Sequence, residues 1–398
     1  MAFVVAAVLV AAGLAALAAM AWAQRRQLRV AAPPLGDDPP AVSVLKPLKG
    51  LDPGLADNLE SFFRLDYPRY EVILGVADGD DPAVAVARRV AAAHPHVPSR
   101  VVVDPRRVGF NPKVNNLANL AAHARHDVLL VSDSNVRVAP GYLGDLVAHL
   151  LRPGVGLVSS PIRGPRGASL GAALEGLQLN TFVMGGVAAM ANLVGGVCVV
   201  GKSMLLRRET LAAIGGFENL AGFLAEDQVC GQEVARLGRR TVVSGRPIDN
   251  VLGPLSVREF LARHLRWARI RRHVAPAGYA AELLLSPVFV ATLALVAAPS
   301  AATLALLAVA AVSRAVVDAS SERAAGTRRP FAAYLLLSPL KDALVGIVWV
   351  VPFLDPTVTW RGHRFRVGRR TRLEPLAPSV SRPSAGLAPD GEPVADLA

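Results

Sequence analysis

The sequence predicts an α/β domain fastened to a membrane, and three observations carry that expectation. Between about residues 41 and 257, short β-branched runs alternate with Ala- and Leu-rich stretches of helical length, the pattern of a sheet flanked by helices. Outside that middle stand apolar stretches long enough to cross a hydrocarbon core. Hydrophobic residues make up 52% of the 398 and charged residues 19%, which excludes a disordered chain and argues strongly against a wholly soluble one. The length leaves room for two or three units.

The first element, Ala2 to Ala23, carries no charge and is followed by Arg25, Arg26 and Arg29. A cleaved signal peptide would place its basic residues ahead of the apolar run. Positions 1–24 therefore read as a retained anchor, and the positive-inside rule puts the residues after Gln24 in the cytosol. A second zone, 276–318, is broken at Pro299 and Ser300 and reads as a membrane hairpin. Arg263, Arg266, Arg269, Arg271 and Arg272 precede it and Arg314, Arg323, Arg328 and Arg329 follow, so both flanks are expected to stay cytosolic. Within 319–374 the apolar block Phe331 to Leu354 holds Lys341 and Asp342 near its middle, costly in lipid unless paired. A full crossing there would export the basic run Arg361 to Arg372, so an interfacial segment competes with a third span. Residues 375–398, rich in Pro, Ser, Ala and Gly, read as a disordered tail.

Positions 25–275 form the α/β unit. Strands are expected at Val42 to Leu45, Glu71 to Val76, Arg100 to Val103, Asp127 to Val131, Val155 to Ser159, Val197 to Met204 and Arg240 to Val243. Helices are expected at Pro53 to Arg64, Pro82 to Ala93 and Lys113 to Arg125. In open α/β sheets ligands sit beyond the carboxyl ends of the strands. Three carboxylate sites fall there: Asp78 in VADGDDP, Asp133 in LLVSDSN, and Glu226 with Asp227 in LAEDQVCGQEVARLG. Each alone is more often a turn former or helix cap, and Asp81, before Pro82, is read that way. The combination points elsewhere, because an apolar strand running into Asp133 suits a hard cation bridging a diphosphate.

Lys113, with Asn115 and Asn116, opens a helix after Pro112, where amides and an ammonium favour an anion. Arg263 and Arg266 in RHLRWARIRRH share a helix face, and guanidinium groups clamp phosphate oxygens bidentately. Trp267 beside them can lie flat on a ring; the competing reading is a juxtamembrane basic anchor with a belt tryptophan. The run Phe182 to Val200 has the length of a membrane span, with only Asn192 against it. A single crossing would put Asp227 across the bilayer from Asp78 and Asp133, so the run is expected at the interface, shaping the route of a lipid, with plain core packing as the rival.

A net charge of +12 suits an anionic membrane face, an anionic substrate or nucleic acid. The basic residues gather beside apolar segments and no aromatic-rich recognition motif appears, so no nucleic acid partner is expected. Cys198 and Cys230 offer neither a zinc quartet nor a disulfide framework.

The runs VSVLKPLKGLDPGLADNLESFFRLDYPRYEVILGVADGDDP, GFNPKVNN, LLVSDSNVRV, GKSMLLRRETLAAIGGF, AEDQ and RHLRW, closed by WRGHRFRVG, together resemble the ceramide glucosyltransferase family and its bacterial relatives, with hopanoid glycosyltransferases close to them. The resemblance covers about Val42 to Arg372. It implies a GT-A fold, a Rossmann-like mixed sheet that binds a nucleotide sugar; the arginine flanks add the expectation of a catalytic domain facing the cytoplasm on a multi-pass protein of the inner (plasma) membrane. It also implies inverting transfer of a sugar, glucose foremost, from a UDP-sugar to the hydroxyl of a lipid acceptor such as ceramide. Residue by residue, it implies that Asp78 meets the nucleotide and that Asp133 meets the diphosphate and a divalent cation, Mg2+ or Mn2+. Asp227 matches the general base, and Arg263, Arg266 and Trp267 match the (Q/R)xxRW signature near diphosphate and acceptor. Asn135 departs from the wider pattern, standing where a DxD motif has its second carboxylate, so metal binding there is expected to be weaker or shared.

The chemistry agrees. A sugar leaving a nucleoside diphosphate puts negative charge on the β-phosphate, which a cation and arginines stabilise. An alcohol is a poor nucleophile until a carboxylate takes its proton. Another sugar (N-acetylglucosamine, galactose or a uronic acid) and another acceptor (a hopanoid, a sterol or diacylglycerol) fit the same motifs. A non-catalytic basic membrane scaffold is the reading from a different class.

Overall fold

The computed structural model describes residues 1–360 and 363–376. Ten strands build the α/β unit: β1 (Val42–Pro47), β2 (Tyr70–Val76), β3 (Ser99–Val103), β4 (Val128–Ser132), β5 (Val136–Arg137), β6 (Val155–Ser159), β7 (Ile162–Arg163), β8 (Ser203–Arg207), β9 (Arg240–Val243) and β10 (Ile248–Asn250). Seven form one mixed sheet in the order β3-β2-β1-β4-β8-β6-β9. The first four run parallel, β8 runs antiparallel to β4 and β6, and β9 runs parallel to β6. A smaller sheet, β5-β10-β7, lies beside it.

The strands read as unbroken apolar runs because both sheet faces are covered. Val44, Val72, Leu74 and Leu130 pack on one face against Leu59, Phe62 and Phe63 of the helix Leu55–Phe63. Leu45, Ile73, Leu129 and Val131 point the other way, against Val114, Leu117 and Leu120 of the helix Pro112–His123. That alternation is the period of two along each strand.

One expected strand differs. The run Val197 to Met204 enters the sheet only at Ser203, where β8 begins. Its preceding backbone is claimed by side chains: Gln228 accepts from the Val199 N–H and donates to the Val197 carbonyl, and Asp227 accepts from the Gly201 N–H. A loop held by a helix, rather than by a neighbouring strand, is invisible to β-propensity.

Among the described residues, four helices are long and apolar enough to cross a membrane: Phe3–Gln27, Leu170–Val194, Ala301–Ala324 and Phe331–Leu354. A fifth span is reached by length if Pro276–Leu285 and Pro287–Ala297, bent by 71°, count as one. Ser286 at that bend takes φ −118° and ψ 62°, since the following proline disfavours the helical region for the residue before it. The helix over Leu170–Val194 contains two π-helical turns, Leu179–Val183 and Met190–Val194. It leads from β7 back to β8, which lies between β4 and β6 in the central sheet. A single crossing is therefore incompatible with the sheet. Met184 and Val187 are buried, and Gln24 of the first helix donates to the Asn180 carbonyl at 2.9 Å and to the Ser321 carbonyl at 3.1 Å.

Lys341 and Asp342 are paired inside the helix bundle. Lys341 Nζ reaches Asp318 Oδ2 at 2.8 Å and Thr181 Oγ1 at 3.0 Å. Arg314 approaches Asp318 at 3.3 Å and Asp342 at 3.7 Å, and Asp342 Oδ2 accepts from the Val288 N–H at 2.7 Å. All four charged side chains are buried, which meets the pairing that apolar surroundings demand.

A third sheet, β11 (Thr357–Trp360), β12 (His363–Val367) and β13 (Leu373–Pro375), closes the described chain. Arg361 and Gly362 of the WRGHRFRVG run, and the expected tail beyond residue 376, lie outside the described residues.

Removing one member of the buried ion network strands the others. Asp318→Ala is expected to destabilise the protein by about 3 to 5 kcal/mol, read as a lowered melting temperature in detergent. A melting temperature equal to that of the surface variant Asp57→Ala would refute the role assigned to the network.

Candidate active site

The carboxyl ends of β1, β2 and β4 share one edge of the sheet, so the residues after them face a common space. Asp133 follows β4 and Asp78 follows β2, with β1 between them. Asp78 is exposed on the rim, and its Oδ1 accepts from the Asp80 N–H. Asp81 is a turn former whose carboxylate accepts from the Gly50 and Ala83 N–H groups.

Asp133 sits at the centre of a lysine cluster. Lys113 Nζ lies 2.8 Å from its Oδ1 and Lys202 Nζ lies 3.2 Å from its Oδ2. Buried Lys46 at the end of β1 donates to its backbone carbonyl at 2.5 Å. Burial would raise the Asp133 carboxyl, but the two facing ammonium groups overcome that and hold it well below the usual carboxylate range. Burial lowers Lys202 and Lys46, whereas for Lys113 the carboxylates of Asp133 and Glu226 outweigh burial and raise it.

Lys113 links this cluster to the third acidic site. Its ammonium also meets Glu226 Oε1 at 3.1 Å and donates to the Gly201 carbonyl at 2.9 Å. The lysine is placed by its helix: Asn111 caps that helix, accepting from the Lys113 and Val114 N–H groups. Asn111 Nδ2 in turn donates to the Phe223 carbonyl and to Glu226 Oε2. The helix Glu226–Arg236 thus starts against the start of the lysine's helix.

Asp227, one residue on, accepts from the Gly201 N–H at 2.6 Å and from the Gln228 N–H at 2.8 Å. Glycine is required at 201, because a Cβ there would stand 2.8 Å from Asp227 Oδ2. Burial first, and then the neighbouring Glu226 carboxylate, push the Asp227 carboxyl up to about 6. The side chain is only partly buried, and its oxygens keep lone pairs beyond those the two N–H groups use.

The signature arginines arrive on the helix Val257–Val274, started by a capping box at Ser256 and Glu259. Arg263 pairs with buried Glu175 at 3.3 Å, and His264 shares that carboxylate at 2.8 Å. Arg266 makes no hydrogen bond or ion pair among the described residues; burial, then the charge of Arg263, lower its pKa, while Glu226 and Glu175 oppose them. Trp267 packs against the main core and meets the His264 ring edge-on at 5.3 Å, so it serves as wall rather than as an open stacking platform. Asp133, Lys113, Asp227, Arg263 and Arg266 are thereby gathered, whereas Asp78 remains on the rim.

Three contributors escaped sequence reasoning. Lys202 lies in the GKSMLLRR run with no local sign that it would face Asp133, and Glu175 sits in an apolar helix as a lone acid. The third is the C-terminal sheet. Thr371 and Leu373 bond to Leu224 and Gly222 through the backbone, Thr371 Oγ1 accepts from the Ala225 N–H, and Arg370 pairs with Glu233 at 2.5 Å. These bonds hold the loop immediately before Glu226.

A divalent cation at Asp133 fits this donor set poorly. Mg2+ commonly uses one or two carboxylates plus substrate phosphates, yet both Asp133 oxygens already face ammonium groups. Lys202 Nζ also donates to Asn135 Oδ1 at 2.8 Å. Among the described residues no group of three His, Cys, Asp or Glu side chains could hold a metal ion. A divalent ion about 4 Å from one ammonium would meet about 8 kcal/mol of repulsion at an effective dielectric of about 20.

The fold matches that of a mannosyltransferase from Pyrobaculum calidifontis, solved in complex with GDP-Man and Mn2+, with a TM-score of 0.56 at 21% identity over 89% of this chain and 99% of that one. Ceramide glucosyltransferase 3 of Caenorhabditis elegans is 32% identical over 238 residues, 60% of this chain and 52% of that one. The ceramide glucosyltransferase of Pyricularia oryzae is 26% identical over 451 residues, covering 89% and 88%. The chain spans about half the length of the C. elegans relatives it matches. Residues 4–373 match the model of one family, so that sheet, lysine cluster and arginine helix fall within a single match, and the chain belongs to glycosyl transferase family 21.

Proposed function

We propose that this membrane-associated glycosyltransferase moves glucose from UDP-glucose to the hydroxyl of a ceramide-like lipid in one inverting displacement. The observation that carries the reading is the position of Asp227: a carboxylate fixed by two N–H groups, raised by burial and Glu226, and set beside a cluster of phosphate-seeking cations. The ceramide glucosyltransferases among the relatives supply the sugar and the acceptor class. Transfer of N-acetylglucosamine, galactose or a uronic acid, and a hopanoid, sterol or diacylglycerol acceptor, would use the same groups.

Asp78 on the rim takes the nucleoside end of the donor, while Arg266, Arg263 and Lys202 face the diphosphate. Arg266 is free to turn both guanidinium nitrogens to phosphate oxygens. Asp227 accepts the acceptor proton as the hydroxyl oxygen attacks the anomeric carbon from the face opposite the departing diphosphate. No second nucleophile is needed for such a displacement. The divalent cation implied by the resemblance fits the Asp133 donor set poorly, and no step of the transfer runs through it.

The apolar helices carry the catalytic unit at the inner membrane as a multi-pass protein. The arginines at 25, 26, 29, 269, 271 and 272 support a cytoplasmic orientation. Arg271 lies over the Phe182 ring at 5.2 Å, which ties the apolar run after Asn180 to the arginine helix and supports a lipid route along that seam.

Purified protein in detergent, given a panel of UDP-sugars and lipids, is expected to yield a glucosylated lipid identified by mass. Asp227→Asn should lower turnover by about 10² to 10⁴-fold while UDP binding persists; unchanged turnover would remove Asp227 from the chemistry, and no product from any pairing would favour the scaffold reading. The base must be ionised, so kcat/KM should fall about tenfold per pH unit below about pH 6. An acid limb breaking near pH 4 would place the base elsewhere.

A further inference from the structure

The ammonium of Lys202 lies between Asp133 Oδ2 at 3.2 Å and Asn135 Oδ1 at 2.8 Å, the two positions that bracket a cation in a DxD arrangement. We propose that Lys202 fills the electrostatic role of a divalent cation on the leaving diphosphate, so that transfer by this protein proceeds without a metal ion. The proposal rests on the nucleotide-sugar transferase reading and says which charge serves it.

Three features support it. The carboxamide of Asn135 carries no charge, so it can hold an ammonium donor but adds little to the binding of a hard dication. The second carboxylate oxygen of Asp133 also faces an ammonium, that of Lys113 at 2.8 Å, so a dication approaching either oxygen meets a fixed positive charge. The charge of Arg263 lowers both Lys202 and Arg266, after burial in each case, and Arg266 makes no hydrogen bond or ion pair among the described residues. Clustered cations with one of them unpaired call for an anion, and a diphosphate supplies it.

In the step itself the bond between the anomeric carbon and the β-phosphate oxygen breaks, and its electron pair stays on that oxygen. The bond from the acceptor oxygen to the anomeric carbon forms, and the hydroxyl proton passes to Asp227. Lys202 remains an ammonium throughout, donating a hydrogen bond to the oxygen that gains charge. Asp133 and Asn135 hold it in place, since two fixed acceptors restrain a side chain that is otherwise free to rotate.

The test uses the full chain in detergent, stripped with EDTA. Wild-type protein should keep glucosylating ceramide in EDTA at a rate within about twofold of that with Mg2+, and should bind UDP by calorimetry in both buffers. Lys202→Ala and Lys202→Met should each lose about 10² to 10³-fold in turnover and weaken UDP binding in EDTA, with Lys202→Arg recovering part of both. Mg2+ or Mn2+ should raise the rate of Lys202→Ala, because the ion can enter the vacated space. A stripped wild type that loses more than tenfold and regains its rate with Mg2+ would overturn the proposal, as would Lys202→Met with wild-type turnover in EDTA. If no donor and lipid give product, the transferase reading fails, and UDP binding in EDTA still decides the role of Lys202. Binding that needs Mg2+ counts against it.

Discussion

The site depends on one side chain that joins two halves of the fold. Lys113 stands at the start of a helix packed under the parallel strands, and its ammonium touches Asp133 from the end of β4 and Glu226 from the start of a helix almost a hundred residues later. Two carboxylates brought this close would repel one another, and each would lose its charge on burial. A single, partly buried cation between them makes the approach favourable. Asp227 then takes its place because Glu226, its neighbour, is pinned, and Gly201 is drawn in on the opposite side by both the lysine and the aspartate. The raised Asp227 carboxyl and the depressed Asp133 carboxyl are two consequences of one arrangement, in which one carboxylate has two cations and the other has another carboxylate beside it.

The membrane helices support this centre as well as carrying it. Glu175 belongs to the long apolar helix after β7, and its carboxylate positions Arg263 and His264 on the arginine helix. Further along the same helix, Asn180 donates to the Glu322 carboxylate at 2.9 Å, and Glu322 also holds Arg329 and Tyr334. Thr181 receives Lys341. Polar side chains in an apolar bundle are expensive unless paired, so these links specify the packing of bundle against catalytic unit more sharply than apolar contact would. The small C-terminal sheet braces the site from the far side, through the backbone bonds to Gly222 and Leu224.

Much of this was legible in the residues. The strands ending at Val76 and near Val131 announced themselves by β-branched apolar runs followed by acids, since a strand covered on both faces leaves no polar position until its end. Asp227 and the arginines could be found because their order along the chain matched a known series. The apolar run from Phe182 has the composition of a span, yet the chain after it returns to β8 between β4 and β6, which a single crossing would forbid. Lys202 and Glu175 were not legible: a lysine before a strand and an acid in an apolar helix acquire meaning only from the groups that stand opposite them. The stretch Val197 to Lys202, expected to belong to a strand, is a loop, because Gln228 and Asp227 bond its backbone where a neighbouring strand would have.

Fold class, apolar segments and family are all written in the residues themselves, in local periodicity, in composition and in the order of short motifs. Which charge neutralises which is settled by folding alone, because an ion pair depends on distances between residues far apart in the chain. That Asp133 faces two lysines while Asp227 faces a second carboxylate follows from strand order and helix packing, and no spacing within the sequence encodes it.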